Sequence, residues 1–382
     1  MTRIRSGTMR RAAAAVSAAA LSAAALLAPA AGAAAATTPT TAPAAVPAAA
    51  PATVPVSGNE AIVPVGAAGP EPIVSPDGTR AYVTVTDTDG SAKVKAVDTR
   101  SDTVTGQVTV GTGTWRPSLV LTKDGTRLYA LDAQTLSVID TASLTVLASL
   151  ALPDQPRPAG WTPGTGGGLV FGPDESTLYL VQSGPSAFRQ SGNGRLLAFS
   201  TTRRAFTATV PMPTSGVGDP ALRPGTADLY LGTGTGVLRL STGGGTPTVV
   251  GSVQGVTAGG ALVFTPDGRR LFSVNSTSAG AADLIDPATD TATAHLRLTP
   301  GYADLSDPRI SADGTRLYLA DNETSGASLL AFDTATGAAL PTETTDVDED
   351  EITGLALGPD DHTFYVAGTN GAATAGLQII QH

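Results

Sequence analysis

The residues best suited to hold a ligand are two tryptophans and three arginines in polar stretches rich in glycine and proline. They are Trp115, Arg116, Arg157, Trp161 and Arg189. An exposed tryptophan beside an arginine suits stacking on a sugar or a planar acid, because the indole has a flat apolar face and the guanidinium a planar set of donors. We predict a ligand-binding surface from these five residues. The alternative is that each tryptophan only fills a gap in the core.

A second polar group is the acidic run at residues 346–351, in which carboxylates recur at Asp346, Asp348 and Asp350. Ca²⁺ prefers about six to eight hard oxygen ligands, so this alternation makes the run a candidate Ca²⁺ site. Glu351 stands where a helix-loop-helix calcium loop has its glycine, and Leu357 where it has its bidentate glutamate, which excludes that kind of site. A solvated acidic loop is the alternative, and no other cofactor is predicted.

Catalytic residues cannot be assigned from the sequence. The three histidines, His295, His362 and His382, are scattered, and the chain has no cysteine. This spacing supports neither a zinc triad nor a Ser-His-Asp set, and thiol catalysis or haem attachment would need cysteine. Carboxylate pairs could do acid–base work, but sequence spacing alone does not pair them.

These polar groups lie between copies of a ten-residue motif that organises the chain. The motif reads SADGTRLYLA at residues 311–320. Seven copies, 42 to 51 residues apart, start at Ser75, Thr122, Gly172, Arg223, Thr265, Ser311 and Gly358. Each copy follows a short stretch of small or apolar residues, contains a tight turn and continues with alternating apolar residues, which predicts a β-hairpin. Repetition at this spacing indicates a repeat architecture.

A second turn, usually Asp-Thr, follows most copies, so each unit has four strands. Four strands in about 47 residues are typical of a propeller blade, and we predict an all-β, seven-bladed β-propeller of four-stranded antiparallel blades. One aromatic residue per motif is predicted to pack between blades: Tyr82, Tyr129, Tyr179, Tyr230, Phe272, Tyr318 and Tyr365. The copies without glycine, at Asp174-Glu175 and Asp360-Asp361, are expected to make slightly longer turns.

The two ends of the repeat region are predicted to close the ring. A lone strand precedes the first motif and the last unit lacks a fourth strand, so residues 62–65 should pair with residues 377–380 and cover an exposed edge. Both kinds of turn then lie at one end of the ring, the turn face. Longer connections, such as residues 152–168, 182–194 and 321–328, lie at the other end, the loop face, which is the predicted working surface.

The first 56 residues lie outside the repeats. Residues 1–36 have a basic start, an Ala/Leu run and the small-residue site Ala31-Gly32-Ala33, which is typical of an export signal. Residues 37–56 are Thr, Pro, Ala and Val almost throughout, which predicts a disordered linker. We therefore predict a secreted, extracellular protein with a propeller domain at residues 57–382.

The net charge and the hydropathy of the chain limit the kinds of partner that it could bind. Without the four arginines of the signal, 19 basic residues stand against 33 acidic ones, a net charge of −14. This argues against a nucleic-acid partner, which would need a basic stripe. Beyond the signal, no apolar run reaches the roughly 20 residues of a membrane span. A closed ring gives no reason to expect more than a monomer.

The motif copies SPDGTRAYVTV and SADGTRLYLA resemble the YVTN-type β-propeller repeat, and the chain resembles the secreted YncE-like and lactonase-like seven-bladed propellers over residues 57–382. The Gly-His and Trp-Asp pairs of WD40 repeats are missing. Residues 333–337 match quinoprotein propellers without their docking tryptophan, and residues 311–314 match a sialidase Asp-box without its later Thr-Trp. The YVTN resemblance implies members that range from binding proteins to lactonases and dehydrogenase subunits.

Two functions follow from these observations. The first is a non-catalytic binding or scaffold protein that uses the loop face to hold a protein, peptide or glycan partner. The alternative is a lactonase-like hydrolase that uses carboxylates, arginine and a divalent metal at the mouth of the central channel. The absence of clustered histidines favours the first.

Overall fold

The computed structural model describes residues 60–68, 72–87, 89–112, 117–275, 280–299, 303–323, 326–348, 350–369 and 375–382. Within them the chain forms seven blades, each an antiparallel sheet, and the innermost strands of successive blades contact one another around a ring. The prediction of an all-β, seven-bladed β-propeller is therefore confirmed. The predicted export signal and linker lie outside the described residues.

The strands of each blade run outward from the central channel. Blade 1 contains Ala67–Ala68 with Ile73–Val74, then Arg80–Thr86, Ala92–Asp98 and Thr103–Gly111. Blades 2 to 4 contain Ser118–Leu121, Arg127–Asp132, Thr135–Asp140 and Thr145–Ala151; Gly166–Phe171, Thr177–Gln182, Arg195–Ser200 and Ala205–Pro211; and Val217–Leu222, Asp228–Thr233, Gly236–Ser241 and Thr248–Ser252.

Blades 5 to 7 follow the same order. They contain Ala261–Phe264, Leu271–Asn275, Ala281–Asp286 and Thr291–Arg297; Leu305–Ile310, Arg316–Glu323, Gly326–Asp333 and Thr345–Asp346; and Glu351–Leu357, Thr363–Thr369, Ala375–Gln381 and Glu60–Pro64. A two-stranded hairpin, Ser186–Ala187 with Gln190–Ser191, is added to blade 3, and a 3-10 helix, Pro341–Glu343, precedes the last strand of blade 6. No helix within the described ranges is long and apolar enough to cross a membrane.

The ring closes through its two chain ends, as the sequence predicted. Glu60–Pro64 forms the outermost strand of blade 7, antiparallel to Ala375–Gln381, with Ile62 opposite Gln378 and Val63 opposite Leu377. Val63 is buried between blades 7 and 1, whereas Ile62 points outward. The first described strand thus completes the last blade.

Seven hydrophobic clusters, one at each interface between neighbouring blades, form the core of the described residues. The aromatic residue of each motif lies in one of these clusters and is at most 6% exposed. The prediction that these aromatics pack between blades is confirmed. Burial of apolar area between blades is therefore the main stabilising contribution, at about 25 cal/mol per Å².

Hydrogen bonds around its aspartate explain the motif. In blade 1 the carboxylate of Asp77 accepts from the hydroxyl of Ser75 at 2.6 Å and from the backbone N–H of Thr79 at 3.1 Å. The same pattern recurs around Asp124 and Asp313. The Ser75 hydroxyl first, and then the Thr79 donors, lower the pKa of Asp77 to about 2. These polar residues stabilise the turn itself.

The Asp-Thr turn is tied to the motif by its threonine. The hydroxyl of Thr334, for example, donates to the carbonyl of Gly314 at 2.6 Å, and Thr99, Thr141 and Thr201 make the equivalent bond in other blades at 2.6 to 2.8 Å. In blade 4 the hydroxyl of Thr242 donates one residue further along the motif, to the carbonyl of Ala227, at 2.9 Å. The two turns of a blade are therefore locked together at the turn face. This explains why both sequences recur as a pair.

Two predictions about connections were wrong. The turns at Glu175 and Asp361 are not longer than the others, because both residues adopt the positive φ of the glycine that they replace, +58° and +63°. Their carboxylates accept from backbone N–H groups of the preceding blade, those of Lys123 and Ala312. Residues 321–328 are not a long loop either, since the strands of blade 6 remain paired as far as Glu323 and Gly326.

Candidate functional site

The most exposed aromatic side chain among the described residues lies on the loop face. The added hairpin of blade 3 ends in Phe188 and Arg189, and Phe188 is 87% exposed. The guanidinium carbon of Arg189 lies 5.1 Å from the centroid of the Phe188 ring, within the range of a cation–π contact. Arg189 thus lies beside the ring of Phe188 rather than beside a tryptophan.

The loop that carries Arg157 and Trp161 lies against this hairpin. Thr162 and Ser186 exchange two backbone hydrogen bonds of 2.9 Å. Arg157 donates to the carboxylate of Asp154 at 2.8 Å and to the carbonyl of Gln155, while Trp161 is half-buried. The structure therefore brings Arg157, Trp161 and Arg189 onto one surface, residues 153–165 and 184–193, which we call the blade-3 loop surface. The other two predicted residues, Trp115 and Arg116, lie outside the described residues.

A buried polar network fixes this surface to the propeller. Arg195 is 5% exposed; its Nε donates to the side chain of Gln182 at 2.7 Å, and its Nη atoms donate to the carbonyls of Asp154 and Pro153. Burial lowers the pKa of Arg195. The loop is thus held by an arginine whose charge is solvated by carbonyl groups.

Two glutamines extend the network. Gln155 accepts from the N–H of Gly164 at 2.8 Å and donates to the carbonyl of Ser183, while Gln182 donates to the carbonyl of Gly164 at 2.6 Å. Both glutamine side chains are buried. Because buried polar groups are costly to separate from their partners, the loop and the base of the hairpin are held in one conformation.

The acidic run lies where blade 6 passes to blade 7. Asp346, Asp348 and Asp350 are exposed, and the backbone N–H of Asp348 donates to the side chain of Gln378 at 3.1 Å. Among the described residues, which omit Glu349, no three His, Cys, Asp or Glu side chains are grouped so that they could hold a metal ion. The Ca²⁺ site stays a prediction.

One histidine is paired with a buried carboxylate. Nδ1 of His295 lies 2.6 Å from Oδ1 of Asp283, whose other oxygen accepts from Thr257. Ser273, Asp283 and His295 are neighbours on three adjacent strands, but the aspartate stands in the middle and the Ser273 hydroxyl donates to the carbonyl of Ala258. A nucleophilic triad needs the histidine between the other two, so this row is not one.

The central channel contains three charged residues that break the repeat pattern. Four residues before the motif, Asp219 and Asp307 replace the Ser, Gly or Ala found in blades 2, 3, 5 and 7. Two residues before the motif, Arg309 replaces the apolar residue of every other copy. All three lie on innermost strands, those of blades 4 and 6, and their charges are close enough to influence one another.

The two channel aspartates are acids in an unusual environment. Asp219 is reached by solvent, yet the blades enclose it, and this enclosure together with the charge of Asp307 raises its pKa. Burial likewise raises the pKa of Asp307, whose backbone has a φ of +49°. The carboxylate of Asp219 lies on Gly168, where a Cβ would come within 2.2 Å of its Oδ1. Glycine at position 168 therefore leaves the space that the Asp219 side chain occupies.

Next to these acids, toward the turn face, the channel opens into a chamber of about 480 Å³. Its walls come from blades 1, 2, 3, 6 and 7; most of the side chains are aliphatic, and Arg309 and Asp361 are the two charged ones. Sequence reasoning did not find Phe188, Asp219 or Arg309. A residue-by-residue comparison of the motif copies would have exposed the two channel residues, whereas nothing in the sequence around Phe188 shows that its ring is exposed.

Comparison with known proteins supports the fold. No protein-family model matches the chain, and no curated protein matches its sequence. Among solved structures, hydrazine synthase of Kuenenia stuttgartiensis is similar, with a TM-score of 0.62 and 17% identity over 86% of this chain and 97% of that chain.

Two further structures are similar at 12% identity and a TM-score of 0.65. U3-55K covers 86% of this chain and 100% of its own, and the WD40 repeats of RRP9 cover 86% and 98%. At such identities the likeness concerns the fold alone. The chain is a seven-bladed β-propeller whose structural neighbours include WD40 propellers, although its own motif lacks the WD40 residue pairs.

Proposed function

We propose that the protein is a secreted, non-catalytic binding or scaffold protein of the YVTN, YncE-like type, and that it holds a protein, peptide or glycan partner at the blade-3 loop surface. The observation that carries this proposal is the 87% exposure of Phe188 at the tip of an added hairpin. Because the ring of Phe188 is not part of the core, its removal should not lower the stability of the fold, and a flat apolar ring at this exposure is available for contact with a partner.

The chemistry of the surface supports binding. Aromatic and arginine side chains are enriched among residues that dominate binding energy, and here Phe188, Arg189 and Trp161 lie on adjoining segments. The Arg195 and glutamine network fixes the segments before a partner arrives. A preorganised surface loses less conformational entropy on binding than a mobile loop.

Export and family rest on the sequence. The basic start, apolar run and small-residue site of residues 1–36 support a secreted, extracellular location. The wording of the motif supports the YVTN, YncE-like type over the WD40 type. Detection of the protein in the culture medium, shortened by about 36 residues, tests the location.

The test of binding uses the full propeller and single variants. Phe188→Ser should weaken capture of a partner from a glycan array or from the proteins of the extracellular fraction by at least about tenfold, the effect of removing a hot-spot side chain. The matched control is Val250→Ser, since Val250 is also exposed, at 57%, but lies on the outermost strand of blade 4. Partners that bind both variants as well as the parent would contradict the proposal.

A lactonase-like hydrolase is the second candidate, and the channel pair Asp219 and Asp307 favours it. Their raised pKa values suit general acid–base work. Turnover of simple lactones by the purified protein, lost in Asp219→Asn and unaffected by Phe188→Ser, would place the activity in the channel and replace the non-catalytic proposal. Loss on adding a chelator would add a metal to the reaction.

A further inference from the structure

Arg309 occupies a position that the repeat otherwise reserves for apolar side chains. The equivalent residues of the other copies are Ile73, Val120, Val170, Ala221, Val263 and Ala356. Several of these pack into the clusters between blades. An arginine at this position replaces such packing with a charge inside the ring, close to the charges of Asp219 and Asp307.

Two other arginines of the turn face form ion pairs with acidic residues. Arg239 forms ion pairs with Asp228 at 3.1 Å and Asp290 at 2.7 Å, and Arg316 pairs with Glu343 at 2.6 Å. Arg309 forms no ion pair with any described residue, and its Nη1 donates only to the neighbouring carbonyl of Pro308 at 3.0 Å. Since a guanidinium has five N–H donors, most of its hydrogen-bonding capacity is free.

The free guanidinium lines the channel chamber, whose other walls are aliphatic side chains, with turn backbone and the carboxylate of Asp361 at the rim. Ile73, Leu119, Leu169 and Leu357 come from four different blades, and the volume of about 480 Å³ is typical of small-molecule sites. The backbone of the turns at Ala312 and Gly358 marks its outer rim, so the chamber faces the turn face. It therefore lies at the opposite end of the ring from the blade-3 loop surface.

We propose that this chamber binds an organic anion with an apolar body, such as a medium-length monocarboxylate, with its head group on Arg309 and its chain against the aliphatic walls. The site is independent of the partner surface proposed above. Arg309 is the one cationic residue among those that line the chamber, and the one acidic residue, Asp361, already accepts from the backbone N–H of Ala312. The chamber thus offers one free donor group and aliphatic walls, which match one anionic group on an otherwise apolar ligand.

The channel aspartates orient this ligand. Asp219 and Asp307 lie on the loop-face side of Arg309, since each innermost strand runs from the loop face to the turn face. A carboxylate that enters from the turn face passes Asp361 at the rim, reaches the guanidinium of Arg309 and is kept from passing further by Asp219 and Asp307. The same two residues would attract a cation, so charge selectivity is the decisive property to measure.

The experiment is isothermal titration calorimetry of the full chain at neutral pH with octanoate, octanol and octylamine. Octanoate should bind with one site per chain, and its affinity should exceed that of butanoate by roughly fourfold for each added methylene, as burial of a CH₂ group implies. Octanol should bind weakly and octylamine more weakly still. Arg309→Gln should weaken octanoate at least tenfold and leave octanol unchanged.

A matched control and an opposite variant complete the design. Arg203→Gln removes an exposed arginine from the outer part of the turn face of blade 3 and should leave octanoate binding unchanged. Asp219→Asn removes a neighbouring negative charge and should tighten octanoate several-fold. The unfolding midpoint of each variant shows that it folds.

Four outcomes would overturn the proposal. Octylamine binding without octanoate binding makes the chamber a cation site at the aspartates. Octanoate affinity that is equal in Arg309→Gln and in the parent chain removes the arginine from the site. If Arg309→Gln fails to fold, an octanoate affinity that is the same in Asp219→Asn and in the parent chain also contradicts the proposed site. The absence of octanoate binding to the parent chain at millimolar concentration contradicts it as well.

Discussion

At the scale of single residues, the turns show how a non-glycine residue can hold a left-handed conformation. Glu175 adopts a φ of +58° in place of the usual glycine, a conformation that costs other residues about 1–2 kcal/mol. Its carboxylate accepts from the backbone N–H of Lys123 in blade 2 at 3.0 Å. The side chain therefore offsets backbone strain with a bond between blades.

This balance predicts different effects for two substitutions of Glu175. Glu175→Ala keeps the strain and loses the bond to Lys123, whereas Glu175→Gly loses the bond but relieves the strain. We expect Glu175→Ala to be less stable than Glu175→Gly by about 1 kcal/mol in urea unfolding. Gly125→Ala, at the same position of blade 2 with a φ of +69°, should also destabilise. Equal stability of the two Glu175 variants would show that the backbone is not strained.

At the same scale, the sequence could not reveal the role of Glu175, because a positive φ in a non-glycine residue depends on a partner from another blade. Arg309 and Asp219 differ in this respect. Their departure from the motif is visible in the sequence, but the meeting of blades 4 and 6 across the channel follows only from the ring. Phe188 gave no signal, since a phenylalanine in a polar stretch is as typical of a buried anchor as of an exposed one.

At the scale of elements, local sequence was sufficient where local hydrogen bonds decide the structure. The Asp-Gly and Asp-Thr turns close on side chains within the same motif, so hairpins and blades were predicted correctly. Residues 321–328 were wrongly predicted as a loop because polar residues at the ends of the paired strands Arg316–Glu323 and Gly326–Asp333 gave no alternation. Pairing with a neighbouring strand decided the outcome there.

The loop of the blade-3 loop surface depends on one buried side chain. Arg195→Leu removes the donors to the carbonyls of Asp154 and Pro153 and leaves Oε1 of the buried Gln182 side chain without its donor. We expect a loss of roughly 2–3 kcal/mol in stability and faster proteolysis within residues 153–163. Arg157→Leu is the control, since the Arg157 side chain is 29% exposed and its loss breaks only local bonds. Equal protease resistance of both variants would contradict the anchoring role.

At the scale of the whole molecule, the aspartates of the two kinds of turn determine how the stability of the fold changes in acid. Asp77 and Asp313 have pKa values of about 2, and hydrogen bonds lower the pKa of Asp98, Asp124, Asp140, Asp174, Asp267 and Asp333. Their stabilisation is present above the unfolded value near 3.9 and is lost as the pH falls through the folded values. Asp219 and Asp307 have raised pKa values, so their contribution to stability changes with pH in the opposite direction, but they are only two groups.

The unfolding midpoint should therefore fall steeply between pH 4 and pH 2 and change little between pH 5 and pH 7. Thermal unfolding followed by circular dichroism across this range checks the profile. Asp313→Asn should lower the midpoint at pH 7 and shrink the fall below pH 4, because one of the titrating groups is gone. An unfolding midpoint that stays constant between pH 4 and pH 2 would show that the turn carboxylates do not stabilise the fold.

Ring closure is a property of the whole molecule that the sequence of the two chain ends predicted. It depends on the alternation of buried and exposed side chains along one strand. Val63 is 2% exposed between blades 7 and 1, while its neighbour Ile62 is 49% exposed. Val63→Asp buries an unpaired charge at the closure and should cost on the order of 3 kcal/mol, whereas Ile62→Asp should stay within about 0.5 kcal/mol of the parent. Both variants place the same charge in Glu60–Pro64, so the difference between their unfolding midpoints isolates the effect of the buried face.

Each blade shares a buried hydrophobic cluster with both of its neighbours. A weakened closure should therefore lower the midpoint of one common unfolding transition rather than release one blade alone. A separate early transition in Val63→Asp would mean that the other six blades are stable as an open ring.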